Sequence, residues 1–272
     1  MSVFIDPMTA EFDWSRTALS GAVSLGGVLA ALLAPAVGAQ VDKKGGRVVL
    51  TVAAVVVAAS ALALSQTTTL LWFYVAFAIG RMTFASPFDI GISAAIANWF
   101  VRKRAQAMSY VTLGSTIGLA IMPMLAYLVI DAAGWRMGWV AIAAIVLVAG
   151  AIPNALFMRR RPEDMGMQPD GESDAARRVE GAPAVAPVAE VQFTRAEALR
   201  TPSLWMLMAF SVLIYPVQAG VSLHQAPHVI EQGLSASIAA SVVSTYSLFA
   251  AICALGFGYA GRRWPGRVGL AA

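Results

Sequence analysis

Long apolar segments alternate with short polar segments along most of the chain. Stretches such as Ala30–Ala34 and Val52–Val57 carry no charge, and a helix that crosses a hydrocarbon core of about 30 Å needs about 20 residues. Seven segments reach or approach that length. The pattern therefore predicts helical spans at Thr17–Ala39, Val48–Leu64, Leu70–Trp99, Ala105–Ile130, Met137–Met158, Ser203–Leu223 and Ser237–Tyr259.

Composition supports the same class. Hydrophobic residues make up 58% of the 272 residues, charged residues 12%, and the mean hydropathy is +0.70. Soluble domains carry roughly 25% charged residues, so a soluble core could not absorb this much apolar surface. We expect an all-α membrane protein of about seven transmembrane helices. Cys253 is the single cysteine, which excludes an internal disulfide.

The basic residues predict the orientation of the spans. All of the 19 Lys and Arg residues except Arg16, Arg81 and Arg136 lie in loops on one side of the predicted membrane. Cytoplasmic loops carry such an excess, so we expect an external N-terminus and a cytoplasmic C-terminus. The same bias accounts for the net charge of +4 without a nucleic-acid partner. A bacterial inner membrane is the expected location.

A charged segment, Gly38–Leu50, separates the first two predicted spans. It contains three cations and one acid, and its paired glycines predict a tight turn. The spacing Gly38-x3-Asp42-Lys43-x-Gly45-x-Arg47 resembles the signature loop between the second and third helices of major facilitator superfamily transporters. By that resemblance, Asp42 and Arg47 hold the outward-facing state through charge contacts with nearby helices.

Further segments resemble bacterial monocarboxylate and oxalate–formate porters of the same superfamily. They are Glu11–Arg16, Asn98–Met108, Gly134–Arg136, Arg159–Gly166 and His224–Ser235. The resemblance implies a partial major-facilitator fold with family helices two to eight, truncated at both ends. Residues 1–160 would then form the N-terminal half without its first helix, residues 161–202 a partly disordered cytoplasmic linker, and residues 203–272 the start of the C-terminal half. Gly258–Arg267 resembles a degenerate second copy of the signature.

Arg81 is the cation that the pattern places deepest in a span. A charge there costs at least about 2.5–3.5 kcal/mol on insertion scales, so Arg81 must face protein or water. One hypothesis makes its guanidinium the anchor for a carboxylate substrate. The alternative is an ion pair with Asp89, two helical turns further along and near the same helix face.

Polar residues of the sixth predicted span are further candidates. Tyr215 and Gln218 are candidates for lining a polar cavity, and His224 at its end is a candidate proton carrier, because imidazole titrates near neutral pH. We expect substrate contacts from Arg81, Asp89 and these three residues. No P-loop, zinc spacing or nucleophile motif occurs, so we expect no enzyme activity, no cofactor and no metal site.

The preferred function is secondary active transport of a small organic anion, monocarboxylate-like, by alternating access within the lipid bilayer. A symporter with the proton as coupling ion is the expected type. Two alternatives stay open. The external N-terminus and seven spans favour a seven-helix receptor or sensor, and the missing family helices favour an inactive transporter fragment.

Overall fold

The computed structural model describes residues 2–101, 103–171 and 195–260. Every long regular element within those ranges is an α-helix, which confirms the all-α fold class. The helices are α1 (Ser2–Phe12), α2 (Arg16–Ser65), α3 (Leu70–Thr83), α4 (Asp89–Trp99), α5 (Arg104–Ile145), α6 (Ile152–Phe157), α7 (Arg195–Arg200), α8 (Pro202–Glu231) and α9 (Ala236–Ala260).

The contacts divide the chain into two units. One comprises Met1–Asp174 with Phe257–Ala272, and the other comprises Ala175–Gly256. Most of the predicted linker and all three arginines of the second signature copy lie outside the described residues. The second unit contains α8 and most of α9, which have 30 and 25 residues. Both are long enough to cross a bilayer, as the apolar pattern predicts.

Helix α2 is two helices joined at a single residue. Gly45 has φ 79° and ψ 162°, a conformation outside the helical region and essentially restricted to glycine. Residues 16–44 and 46–65 therefore form two arms. The predicted turn over Gly38–Leu50 is thus too long: helix continues to Lys44 and resumes at Gly46, because one glycine suffices to reverse the chain.

Contacts with α3 show that the first arm of α2 runs parallel to it. The Tyr74 hydroxyl donates to the Ala18 carbonyl at 2.6 Å. Further along both helices, Gly26 lies against Arg81, and a Cβ atom at Gly26 would come within 2.6 Å of the Arg81 stem. The absence of a side chain at Gly26 allows these two helices to approach closely.

The second arm of α2 runs in the opposite direction. Trp72 donates from its indole nitrogen to the Ala63 carbonyl at 2.7 Å, while Leu50 packs against Gly91 at the other end. Residues earlier in the second arm of α2 therefore contact residues later in the α3–α4 segment, which is the pattern of antiparallel helices. The two arms of α2 are therefore antiparallel, and both contact α3.

Helix α5 has the same kind of break. Gly134 has φ 84° and ψ 165°, which divides the helix into residues 104–133 and 135–145. The second arm continues through a π turn (Val146–Ala151) into α6. The external turn that the sequence predicts at Gly134–Arg136 is thus also a one-residue reversal.

Two π turns interrupt the spans, at Phe84–Phe88 between α3 and α4 and at Val146–Ala151 between α5 and α6. Pro87 lies inside the first, and Pro153 follows the second closely. Proline has no N–H and clashes with the preceding turn of an α-helix, which a wider turn relieves. The seven predicted spans coincide closely with the observed helices once these turns are counted as helical.

Helix α1 was not predicted. Its Phe4 and Met8, one helical turn apart, are both fully buried, and the Phe4 ring stacks on Trp139 with centroids 4.1 Å apart. The core around them combines large aromatic rings with small alanines, which permits close helix packing. Its buried members are Phe4, Met8, Leu19, Ala22, Ala58, Ala61, Leu64, Phe73, Ala76, Phe77, Ala126, Trp135, Trp139 and Ala143.

Candidate functional site

A cavity of about 350 Å³ lies inside the first unit, between both arms of α2, helix α3 and the second arm of α5. That volume falls in the range of small-molecule binding sites. Its walls are predominantly apolar. The lining residues are Val23, Val57, Ser60, Ala61, Leu64, Phe77, Gly80, Arg81, Phe84, Trp139 and Ile142.

Arg81 is the charged residue of this cavity. Its side chain is half-buried, and its stem lies against Gly26. The Nε atom is buried, and no group of the described residues accepts a hydrogen bond from it. A guanidinium group with one unsatisfied donor therefore lines a predominantly apolar cavity.

Asp89 does not pair with Arg81. Its side chain is exposed and lies outside the cavity lining. The π turn at Phe84–Phe88 separates the two residues, and each π turn adds a residue to the helical repeat. The regular spacing that would place Arg81 and Asp89 on one face is therefore lost.

Trp139 is a second unpartnered donor in the same cavity. Its side chain is 7% exposed, and no described group accepts a hydrogen bond from its Nε1 atom. Sequence reasoning did not find this residue, because a tryptophan in an apolar span is typical of a packed core. Only the position of its neighbours shows that its N–H has no partner among the residues that the structure describes.

The remaining predicted substrate residues lie on α8, in the second unit. Tyr215 is exposed, and the side chains of Gln218 and His224 lie outside the described residues. Within the part of the chain that the structure describes, no group of three or more His, Cys, Asp or Glu side chains could hold a metal ion.

The signature segment around Arg47 forms hydrogen bonds mostly to backbone carbonyls. Arg47 donates from Nε to the Ala155 carbonyl at 3.1 Å, and its Nη2 donates to the same oxygen. Asn154 donates to the Arg47 carbonyl at 3.2 Å and to the Thr51 hydroxyl at 2.9 Å. These bonds join the second arm of α2 to α6. The partner of Arg47 is thus a neutral carbonyl rather than the charged group that the resemblance implies.

The reversal at Gly45 is packed against the chain segment that follows α6. A Cβ atom at Gly45 would lie 2.5 Å from the Arg160 side chain, and Arg160 donates to the Asp42 carbonyl at 3.3 Å. Lys43 and the Asp42 side chain are exposed, and Gly38 is an ordinary helical residue. Asp42 therefore contributes its backbone to this contact.

At the opposite end of the same unit, an ion pair joins α1 to the second arm of α5. Arg136 approaches Glu11 to 2.7 Å, and the Trp135 indole donates to the same carboxylate at 2.6 Å. The Trp135 and Arg136 hydrogen bonds lower the pKa of Glu11 below its usual value near 4.5. Aromatic rings surround the pair: Arg136 lies over the Trp135 ring at 4.3 Å, and Phe12 stacks on Trp14 with centroids 4.4 Å apart.

These features are those of a helical membrane protein with a small, partly open cavity and tight helical hairpins. Three apolar helical segments, Thr17–Ser65, Leu70–Trp99 and Arg104–Phe157, are long enough to cross a membrane, and Gly45 and Gly134 divide the first and last into two. No curated protein matches the chain. The family model of the Major Facilitator Superfamily matches residues 1–272, and members of that family are generally not enzymes. The chain therefore belongs to the Major Facilitator Superfamily and is an integral, multi-pass membrane transporter protein.

Proposed function

We propose that the protein is a secondary active transporter of a small organic anion of the monocarboxylate type, and that Arg81 binds the carboxylate. One observation carries this proposal. Arg81 lines a cavity between transmembrane spans, and its buried Nε atom has no acceptor among the described residues. A buried donor without a partner costs about 1–3 kcal/mol, and a bound carboxylate removes that cost.

The electrostatics of the cavity favour one negative charge. Among the described residues that line it, Arg81 is the only charged one. Apolar walls strengthen the attraction between a cation and an anion by lowering the local dielectric constant. A second carboxylate on the ligand would meet apolar groups such as Leu64 and Phe77 and lose its hydration without compensation. A monocarboxylate fits this arrangement better than a dicarboxylate.

The segments that resemble monocarboxylate and oxalate–formate porters support the same substrate class. Transporters of this kind bind substrate near the membrane midplane and move one half against the other. In our proposal, the bonds from Arg47 to Ala155 keep the cytoplasmic ends of α2 and α6 together, so that the first unit moves as one body. Protons are the proposed coupling ion, with His224 as their candidate carrier.

The proposed orientation follows the distribution of basic residues. The end that contains Arg47 and Arg160 faces the cytoplasm, and the end that contains Glu11 and Arg136 faces outward. A bacterial inner membrane is the proposed location.

Uptake of radiolabelled lactate into proteoliposomes tests the proposal. We expect Arg81→Ala to reduce uptake at least tenfold, because hydrogen bonds to charged groups contribute about 1.5–3 kcal/mol. Arg81→Lys keeps the charge but loses the planar fork, so it should retain intermediate activity.

Arg159→Ala is the matched control, because it removes one positive charge from an exposed position outside the cavity. Its uptake should equal that of the wild type. Wild-type uptake in Arg81→Ala would overturn the assignment of Arg81.

A further inference from the structure

We infer that Trp139 is a second substrate-binding residue, whose indole N–H donates to the carboxylate that Arg81 holds. This inference rests on the proposed function and extends it to a residue on a different span. Arg81 belongs to α3 and Trp139 to the second arm of α5, so the ligand joins two helices that are far apart in sequence.

The indole of Trp139 is fixed before any ligand binds. Phe4 stacks on it at an interplanar angle of 23°. The adjacent Gly138 permits this approach, because a Cβ atom there would lie 3.0 Å from the Phe4 ring. A side chain held by such packing donates with little loss of conformational entropy on binding.

The burial of the indole nitrogen is the second step of the argument. Buried tryptophan N–H groups usually find an acceptor, and buried Trp135 in the same unit donates to Glu11. Even the exposed Trp72 donates, to the Ala63 carbonyl. Trp139 is more deeply buried than Trp72 and has no acceptor among the described residues. Trp139 lines the cavity, so a ligand bound there is the candidate acceptor for this donor.

The cavity combines these two donors with hydrocarbon walls. Beside Arg81, Trp139 and the Ser60 hydroxyl, its lining is made of aliphatic and aromatic side chains and Gly80. A cavity that is filled by ordered water needs about two to four polar partners for each water molecule, and this lining offers few polar groups. The lining instead fits a ligand with one acceptor group and a compact apolar body, such as a short-chain monocarboxylate.

The neutral donor has a specific consequence for selectivity. Indole nitrogen donates and cannot accept, so Trp139 favours a ligand that presents an acceptor oxygen over one that presents a donor. Arg81 supplies the charge preference, and Trp139 supplies a second, directional requirement. The uncharged amide of the same acid keeps an acceptor oxygen but lacks the negative charge that Arg81 attracts, so it should bind weakly.

Ligand-observed saturation-transfer NMR with propionate, on the full 272-residue chain in lipid nanodiscs, tests this inference. The informative variant replaces Trp139 by 3-benzothienylalanine, which keeps the ring shape and exchanges N–H for sulfur. Loss of one hydrogen bond should weaken propionate binding about five- to tenfold. The same replacement at Trp72, outside this cavity, is the matched control and should bind as the wild type does. Trp139→Phe is a second variant that also removes the donor.

The outcomes separate the two proposals. Weaker binding in both Trp139 variants, with retained helix content by circular dichroism and wild-type binding in the control, supports the inference. Loss of binding in Arg81→Ala together with wild-type binding in the benzothienyl variant overturns the role of Trp139 and leaves the proposed function intact. No propionate binding by the wild type, or equal binding of propionamide, overturns both.

Discussion

The two one-residue hairpins of the first unit have nearly the same backbone conformation in different surroundings. Gly45 and Gly134 differ by only a few degrees in φ and ψ. The reversal at Gly45 lies against the Arg160 side chain, whereas a Cβ atom at Gly134 would meet no atom within 4 Å. The same backbone geometry is therefore surrounded by packed side chains at Gly45 and by open space at Gly134.

The bonds beside the two hairpins differ in kind as well. Arg47, two residues after Gly45, donates to a neutral carbonyl. Arg136, next to Gly134, pairs with the carboxylate of Glu11. Protonation of Glu11 can thus weaken the proposed external end, whereas the Arg47 contact at the proposed cytoplasmic end involves no carboxylate. The comparison indicates which end a change of pH can loosen.

The largest effect should come from adding a methyl group at each hairpin. Gly45→Ala and Gly134→Ala both force a non-glycine residue into a strained conformation, at a cost of about 1–3 kcal/mol. Gly45→Ala adds a clash with Arg160, and overpacking costs about 1–3 kcal/mol more. Thermal unfolding of the two variants in the same detergent should show the lower midpoint for Gly45→Ala. Equal midpoints would show that the packing of Arg160 against Gly45 does not affect stability.

A smaller effect is expected from Arg47→Lys. Lysine keeps the positive charge but cannot direct two N–H groups of a planar fork at the Ala155 carbonyl. We expect a loss of about 1–2 kcal/mol in the free energy of unfolding, measured by the same thermal assay. Arg159→Lys, at an exposed position, should leave the midpoint unchanged. If Arg47→Lys behaves like this control, the carbonyl contact does not stabilise the hairpin.

The smallest effect concerns Glu11. Because its folded-state pKa is lowered, its contribution to stability is present above the unfolded pKa near 4.5 and is lost as pH falls through the lower folded value. The carboxylate is well exposed, so the expected contribution is below about 1 kcal/mol. Midpoints measured between pH 7 and pH 3 should fall further for the wild type than for Glu11→Gln. Parallel curves for the two proteins would contradict the role of this ion pair.

Local chemistry explains why much of the fold could be predicted. Segments of about 20 apolar residues have few options other than membrane-spanning helices, and their bounds at Leu70–Trp99 agree with the structure. The reversals at Gly45 and Gly134 were also predictable, since glycine tolerates the required backbone angles. Arg81 could be found because a charge within an apolar span is rare.

Other features depend on contacts that no local pattern encodes. The Arg81–Asp89 alternative failed because the π turn beside Pro87 changes the helical repeat. Helix α1 escaped prediction because it is short and becomes a core element only through the stacking of Phe4 on Trp139. The charged partner expected for Arg47 is a carbonyl, since the neighbouring helix supplies that atom.

The sequence by itself determined the membrane class, the helical spans, the glycine reversals and the isolated charge at Arg81. These properties depend on hydropathy, backbone freedom and the cost of burying a charge, all of which act over a few residues. Only the tertiary structure decided that Arg81 and Trp139 share one cavity without an acceptor from the described residues. That juxtaposition arises from helix packing between residues far apart in the chain, because hydrogen-bond satisfaction is a property of neighbours in space.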